Sequence, residues 1–577
     1  MNKASGETAA LRLRYGYSGR GLHGTVSETS DLKRPAFLVT RRVGGLLEQE
    51  GFDGTVAWAR ERSGSVNAQS GGDMRELAIN QAYRNTNGWW KADFGGAVVS
   101  YLGRRAEGSV AAEVLRVFPI GGVSFDAWFD ASTHLLIRID EPRHGQSVIV
   151  RLSDYRRVAG TMVPGRVRVG TDDPGDDEVQ TLASAEALRI VPSDCCAAPG
   201  WSPRDTEMFN GADRVTVPFR IVNRHIYADV TVNGKGPFPF MFDTGGVNIL
   251  TPATARAAGV GSAGSLAMRG AGAGAVVGGI ATVHSLAIGG VHFTEQPVRV
   301  LPMSDSDIEQ AGMIGFEAFR RWVTKIDYGR GTIEFIRPSA FDASAAGTAV
   351  PIAFYGNLPV AEGSYDGVPG SFTIDTGNPG GLFLSSPFAR SHDIASRIKR
   401  GVRTIAGVGV GGPSYGVVFR GGALRLGTVT VGRPVTLVST DAAGAMADPS
   451  LAGNVGAEIL RRFVVTLDYA RSVIYLKPID PAPPNLDRYD RSGTRITRTP
   501  GRTEVTEVVE GGPAASAGLK SGDTIVSIDG RSASEMSLDA IRSLLRDRPE
   551  GTHVTLQLRR EGAPISVVLT LRELIGN

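Results

Sequence analysis

Cysteine is nearly absent from this chain: two residues in 577, adjacent at Cys195-Cys196. Neighbouring residues do not readily meet ordinary disulfide geometry, so the pair implies no disulfide framework and reads as linker. A thiol metal or redox site needs further ligands, and "VPSDCCAAPGWSP" offers only Asp194. Charge of one sign is missing too. With 62 basic and 59 acidic residues, the net charge is +3, which gives no footing for a nucleic-acid partner. The densest basic run, Arg397-Ile398-Lys399-Arg400 with Arg403 beyond, reads as a solvated face. No apolar run has membrane length; residues 267–290 come nearest, and Arg269, His284 and repeated Gly break that stretch. The first residues lack the apolar core of a signal peptide, so the expectation is a cytoplasmic protein or a sequence that starts after its export signal. Eight scattered His show no ligand spacing, so no metal and no cofactor is expected.

What is present is a duplication. "FMFDTGG" (240–246) and "FTIDTGN" (372–378) each run an apolar strand into Asp-Thr-Gly. The match extends both ways. Pro218 lies 25 residues before Asp243, and Pro351 lies 24 before Asp375. Downstream, "MIGFEAFRRWVTKIDYGRGTIEFIRP" (313–338) faces "NVGAEILRRFVVTLDYARSVIYLKP" (454–478). Gly315 pairs with Gly456, Arg320-Arg321 with Arg461-Arg462, and Asp327-Tyr328 with Asp468-Tyr469, all at an offset of 141. The offset at the two Asp is 132, so the second copy carries nine more residues between the motifs. The repeat spans 214–338 and 349–478. Alternating β-branched and aromatic residues, punctuated by Gly, Pro and Asn, predict two β-lobes. The clearest helical turn in each is "EAFRRW" or "EILRRF".

Asp-Thr-Gly after an apolar strand, followed by a later Gly before a short helix, resembles the aspartic protease family. The closer likeness is to the retropepsin-like lobe of bacterial aspartyl proteases. The resemblance implies a pseudo-twofold bilobal protease in which Asp243 and Asp375 are the catalytic pair. It also implies supporting roles: Thr244 and Thr376 reach across to the opposite loop, and Gly245 and Gly377 make the tight turns. Gly315 and Gly456 pack behind those loops. The next positions, Gly246 and Asn378, differ; Asn378 has an amide able to donate to Asp375 and Gly246 has none. Two adjacent carboxylates resist double ionisation and share a proton, which equips one pair to activate water and protonate a carbonyl. That titration belongs to the pair. The family's β-hairpin flap maps to about 266–282 and 403–420, where Tyr415 either packs or faces substrate. "GNPGG" (377–381) resembles the nucleophile loop of trypsin-like serine proteases, but Pro379 stands where the serine would have to be.

The flanks differ in character. Beyond the Pro-rich "KPIDPAPPNLDRYD" (477–490), "GGPAASAGLKSGDTIVSIDG" (511–530) resembles a bacterial PDZ domain. Its helix, about 537–546, puts Leu538, Ile541 and Leu545 on one face. The resemblance implies a groove beside that helix for a C-terminal or internal peptide, with its carboxylate loop near Thr499-Pro500-Gly501-Arg502. A Pro-rich link predicts a domain held in a limited range of positions. In the first 190 residues, strand-like pieces surround the helical "MRELAINQAYRNTNGWW". "WFDASTHLLIRID…LSDYRRVAGTMVP" resembles the half-barrel of envelope lipoprotein carriers, with Trp58, Trp89, Trp90 and Trp128 as core or cavity lining.

The reading is a mainly β, multidomain chain of three to four domains. An α+β half-barrel-like domain (1–195) precedes the two tandem retropepsin-like lobes (214–338, 349–478) and a PDZ domain (490–575). The function expected is aspartic endopeptidase, with polypeptide substrates, a peptide ligand for the PDZ domain, and no transmembrane segment. A non-catalytic peptide-binding envelope scaffold is the alternative. The half-barrel likeness favours a periplasmic or extracellular home, with cytoplasmic as the alternative.

Overall fold

A computed structural model describes residues 8–171, 177–268, 270, 272, 274–303, 310–499 and 501–576. The chain is mainly β and multidomain. A 13-stranded antiparallel sheet runs from Ala10–Gly19 to Glu178–Leu188, with the helix Met74–Asn85 packed on it. Its edge strands are Val66–Ala68 and Val98–Glu107, so the sheet is open. Trp58, Trp89 and Trp128 are buried, whereas Trp90 is 65% exposed.

The duplicated region folds as the repeat dictates. Lys235–Phe242 pairs in parallel with Gly312–Ile314, and Val368–Ile374 pairs in parallel with Gly453–Val455. Beside them Ile249–Leu250 and Leu382–Leu384 fill equivalent antiparallel places. Both short helices form where the sequence puts them, at Phe316–Arg321 and Ala457–Leu460.

The lobes share a six-stranded sheet in the order Arg214–Pro218, Thr332–Ile336, Val323–Asp327, Phe463–Asp468, Val473–Pro478, Thr348–Pro351. The two halves of that order are the two repeats, and they meet where Ile326 faces Val465. One apolar core joins the lobes: Phe316 packs on Phe354 at 5.7 Å, and Phe354 on Tyr469 at 5.0 Å between ring centroids. Truncating such a buried aromatic to alanine costs about 3–5 kcal/mol, so the Phe316–Phe354 contact couples the two lobes strongly.

The repeated Arg pairs face outward from this core, to opposite flanks. Arg321 is 1% exposed and donates to both Asp205 carboxylate oxygens and to the Ser63 carbonyl; Arg320 donates to Asn67 and the Val66 carbonyl. In the second lobe, Arg461 forks onto Glu458 and reaches the Asn485 carbonyl, and Arg462 pairs with Asp487.

Cys195 and Cys196 are joined in a disulfide, contrary to the expectation that neighbouring cysteines do not pair. The turn places Cys196 at φ 84°, and the two side chains meet across the single peptide between them. Trp58 Nε1–H donates to the Cys196 carbonyl at 2.7 Å and anchors that turn to the first sheet.

The last sheet has the strand order Thr494–Thr499, Arg502–Val508, Thr524–Ile528, His553–Arg560, Ala563–Thr570, with Arg531–Ser532 on the third strand. Helix Leu538–Asp547 covers it, capped by the Ser537 side chain. No helix among the described residues is long and apolar enough to cross a membrane.

Candidate active site

Asp243 and Asp375 emerge at equivalent strand ends and face each other across the lobe boundary. An alanine Cβ at Gly245 would lie 2.6 Å from Asp375 Cγ, and one at Gly377 would collide with the Asp243 carboxylate. Only glycine lets each loop lie against the opposite carboxylate. Thr244 and Thr376 are fully buried and bond reciprocally. Thr244 N–H donates to Thr376 Oγ1 at 3.1 Å, and Thr376 N–H to Thr244 Oγ1 at 3.0 Å. The hydroxyls donate onward to the Ile374 and Phe242 carbonyls at 2.7 and 2.9 Å. Four bonds therefore lock the loops in register.

Behind them, a Cβ at Gly315 would meet Gly246 and Val247, and one at Gly456 would meet Gly380 and Asn378. Burial, and then the neighbouring Asp375 carboxylate with its hydrogen bond, push the Asp243 pKa well above the ordinary carboxylate range.

Sequence reasoning missed two residues. Asn454 Nδ2 donates to Asp375 Oδ2 at 2.6 Å. Its signal was the polar residue in "NVG" where the first copy reads "MIG". His225 bonds through Nε2 to the Gly377 carbonyl at 3.0 Å, and burial lowers its pKa. Nothing in its local sequence marked it. Asn378 also departs from expectation: its side-chain amide donates to Asn454 Oδ1 at 2.7 Å, while its backbone N–H donates to Asp375 at 3.1 Å.

Both regions assigned to flaps contain hairpins: Ala263–Met268 with Val276–Ile288, and Gly401–Gly409 with Gly412–Arg420. Residues 269, 271 and 273 of the first lie outside the described residues. The hairpins meet where Gly272 N–H donates to the Val410 carbonyl at 3.0 Å and Gly274 N–H to Gly411 at 2.8 Å. Val276 and Val410 join one apolar cluster with Met313 and Val247 of the Asp243 loop. Tyr415 is 49% exposed on the second hairpin.

In the last sheet, Leu538, Ile541 and Leu545 are at most 2% exposed and form core rather than an open groove wall. The helix turns that face inward, and Arg542 between them donates to the Ile496 carbonyl of the neighbouring strand at 2.6 Å. Gly501 takes φ 78° in the turn between the first two strands; Pro500 lies outside the described residues.

A family model described as aspartyl protease matches residues 228–318, and one described as PDZ domain matches residues 504–560. The chain is 39% identical over 70 residues to a probable periplasmic serine endoprotease DegP-like of Chlamydia trachomatis serovar D; the match covers 12% of this chain and 14% of that relative's length. A retropepsin-like aspartic protease from Rickettsia conorii is 21% identical, covering 23% of this chain and 93% of its own, at a TM-score of 0.17. A LolA superfamily protein from Nitrosomonas europaea is 14% identical, covering 32% and 88%, at a TM-score of 0.24. With both TM-scores this low, the fold assignment rests on the strand pairing and the family models. The chain carries an aspartyl protease domain and, beyond it in the sequence, a PDZ domain.

Proposed function

We propose that the protein is an aspartic endopeptidase, with domains bounded as the sequence reading divides them. The carrying observation is the reciprocal Thr244–Thr376 bonding that holds Asp243 and Asp375 face to face. One carboxylate accepts a proton from water as its oxygen attacks the scissile carbonyl, and the other donates its proton to the carbonyl oxygen. Collapse of the tetrahedral intermediate then breaks the C–N bond, with a proton passed to the leaving amine. The hairpins at 263–288 and 401–420 close over the substrate and exclude water. The serine endoprotease relative supports no acyl-enzyme route here, because Pro379 offers no hydroxyl.

The substrates are polypeptides, and the PDZ domain takes a peptide by strand addition beside the strand Thr494–Thr499. The Cys195–Cys196 disulfide and the periplasmic relative favour an oxidising compartment outside the cytoplasm.

A peptide-library digest at several pH values, with and without pepstatin, tests the activity. Asp243→Asn and Asp375→Asn should each lower hydrolysis by about 10²–10⁴-fold, with little further loss in the double variant. Folded wild-type protein that binds peptides without cutting any at any pH would establish the scaffold alternative instead.

A further inference from the structure

The two carboxylates are held unequally. Asp375 Oδ1 accepts from Gly377 N–H at 2.9 Å and Asn378 N–H at 3.1 Å, and Oδ2 accepts from Asn454 Nδ2 at 2.6 Å. Asp243 Oδ1 accepts from Gly245 N–H at 2.7 Å, and the Gly377 N–H bears on its carboxylate as well. At the position 141 residues before Asn454 stands Met313, a thioether with no N–H to give. Its sulfur lies where a Cβ on Gly246 would come within 2.6 Å, so the first lobe fills with an apolar group the place the second fills with an amide.

The direction of the Asn454 amide is fixed by a relay. Gly380 N–H donates to Asn378 Oδ1 at 2.8 Å, and a backbone N–H has no other role. Asn378 must then present Nδ2 to Asn454 Oδ1, at 2.7 Å. Asn454 is left with Nδ2 toward Asp375. Both amides are 8% exposed, which shields the relay from exchange with solvent. Three N–H donors favour the charged form of a carboxylate, so Asp375 is the better seat for the negative charge.

We propose that Asn454, oriented by Asn378, is a positioning residue that seats the charge of the pair on Asp375 and leaves the shared proton on Asp243. This deepens the endopeptidase reading and rests on it. Asp375 is then the base and Asp243 the acid. The water oxygen bonds to the carbonyl carbon while Asp375 takes a water proton. The carbonyl π pair moves to oxygen, which takes the Asp243 proton. On collapse the C–N bond breaks, the nitrogen leaves with the proton held by Asp375, and Asp243 recovers one from the hydroxyl. The raised pKa of Asp243, from burial and then the Asp375 charge, agrees with this order. The other titratable groups facing the pair are His225, whose pKa burial lowers, and Tyr328 and Tyr469, whose hydroxyls burial pushes up. They are common to wild type and variants, so a difference between pH profiles isolates the amide.

Asn454→Met copies the first lobe and removes the donor while keeping the number of side-chain heavy atoms. The charged form of Asp375 loses stabilisation in both the singly and doubly ionised pair. The acid limb of the kcat/KM profile should therefore move up by about one pH unit or more while the alkaline limb stays. Asn378→Ala, which frees the amide to rotate, should move the same limb less. A carboxyl ¹³C titration of aspartate-labelled full-length protein, assigned with Asp243→Asn and Asp375→Asn, should show the Asp375 signal ionising at higher pH in Asn454→Met. An Asn454→Met protein with unchanged melting temperature, lowered kcat, an unmoved acid limb and an unmoved Asp375 titration overturns the proposal. Hydrolysis that survives both Asp→Asn substitutions overturns the reading of Asp243 and Asp375 as the catalytic pair instead. The ¹³C titration needs no turnover and decides the role of Asn454 in that case too.

Discussion

Glu507 of the PDZ domain holds Ile405 in the second hairpin: its carboxylate accepts from the Ile405 N–H at 3.0 Å and from Thr404 Oγ1 at 2.8 Å. Arg495 donates to the Ile405 carbonyl from the same sheet. The first hairpin is held from the other flank, where Ser265 N–H donates to the Arg20 carbonyl at 2.8 Å. Each hairpin is thus tied to a different flanking sheet. The Pro-rich link led us to expect a positioned tether; the PDZ domain is docked, and Leu574 and Ile575 bury themselves against Val402, Val418 and Leu437.

This docking predicts the effect of Glu507→Ala. A hydrogen bond to a charged group is worth about 1.5–3 kcal/mol, so amide exchange in 401–409 should quicken about tenfold or more. Exchange in the six-stranded sheet between the lobes should not change. Equal protection of 401–409 in both proteins would show that the contact does not restrain the hairpin. Truncation from about 490 should lower the melting temperature, since it strips the apolar cover from Val402 and Val418.

Gly245→Ala and Gly377→Ala should each fold and lose activity. The new methyl falls on the opposite carboxylate, and a displacement of about 1 Å in a reacting group costs on the order of 10²-fold in rate. Peptide cleavage by either variant within about threefold of wild type would mean that the carboxylates need not lie against these loops.

Stability in acid should depend on Glu141, fully buried in the first sheet. Burial alone would raise its pKa, but Arg84, Arg143 and the Asn80 amide outweigh it and bring it down to about 2. A depressed carboxyl contributes stability above its unfolded pKa and loses it as pH falls toward the folded value. That contribution, about 3 kcal/mol, should fade between about pH 5 and pH 2. Glu141→Gln should flatten this part of the melting-temperature profile. It should also lower stability near neutral pH, because Arg84 keeps a buried charge without its partner. An unchanged acid slope in the variant would assign the loss to other groups.

The sequence by itself determined the parts that local chemistry encodes. Apolar alternation placed the strands, Asp-Thr-Gly placed the two carboxylates at strand ends, and the 141-residue offset announced the paired lobes. Helix Leu538–Asp547 was legible from its apolar face, though not that the face is core, because periodicity says which side is buried and not what covers it.

Only the tertiary structure decided what joins residues far apart in the chain. Asn454 meets Asp375 across 79 residues, Ile405 meets Glu507 across 102, and His225 meets Gly377 across 152. Such contacts depend on how finished sheets pack, so Glu507 and His225 carry no trace of their partners in their own neighbourhoods, and Asn454 shows only as a departure from Met313 of the first copy. The Cys195–Cys196 bond was hidden for a related reason: its closure needs a backbone turn that residue identity alone does not set.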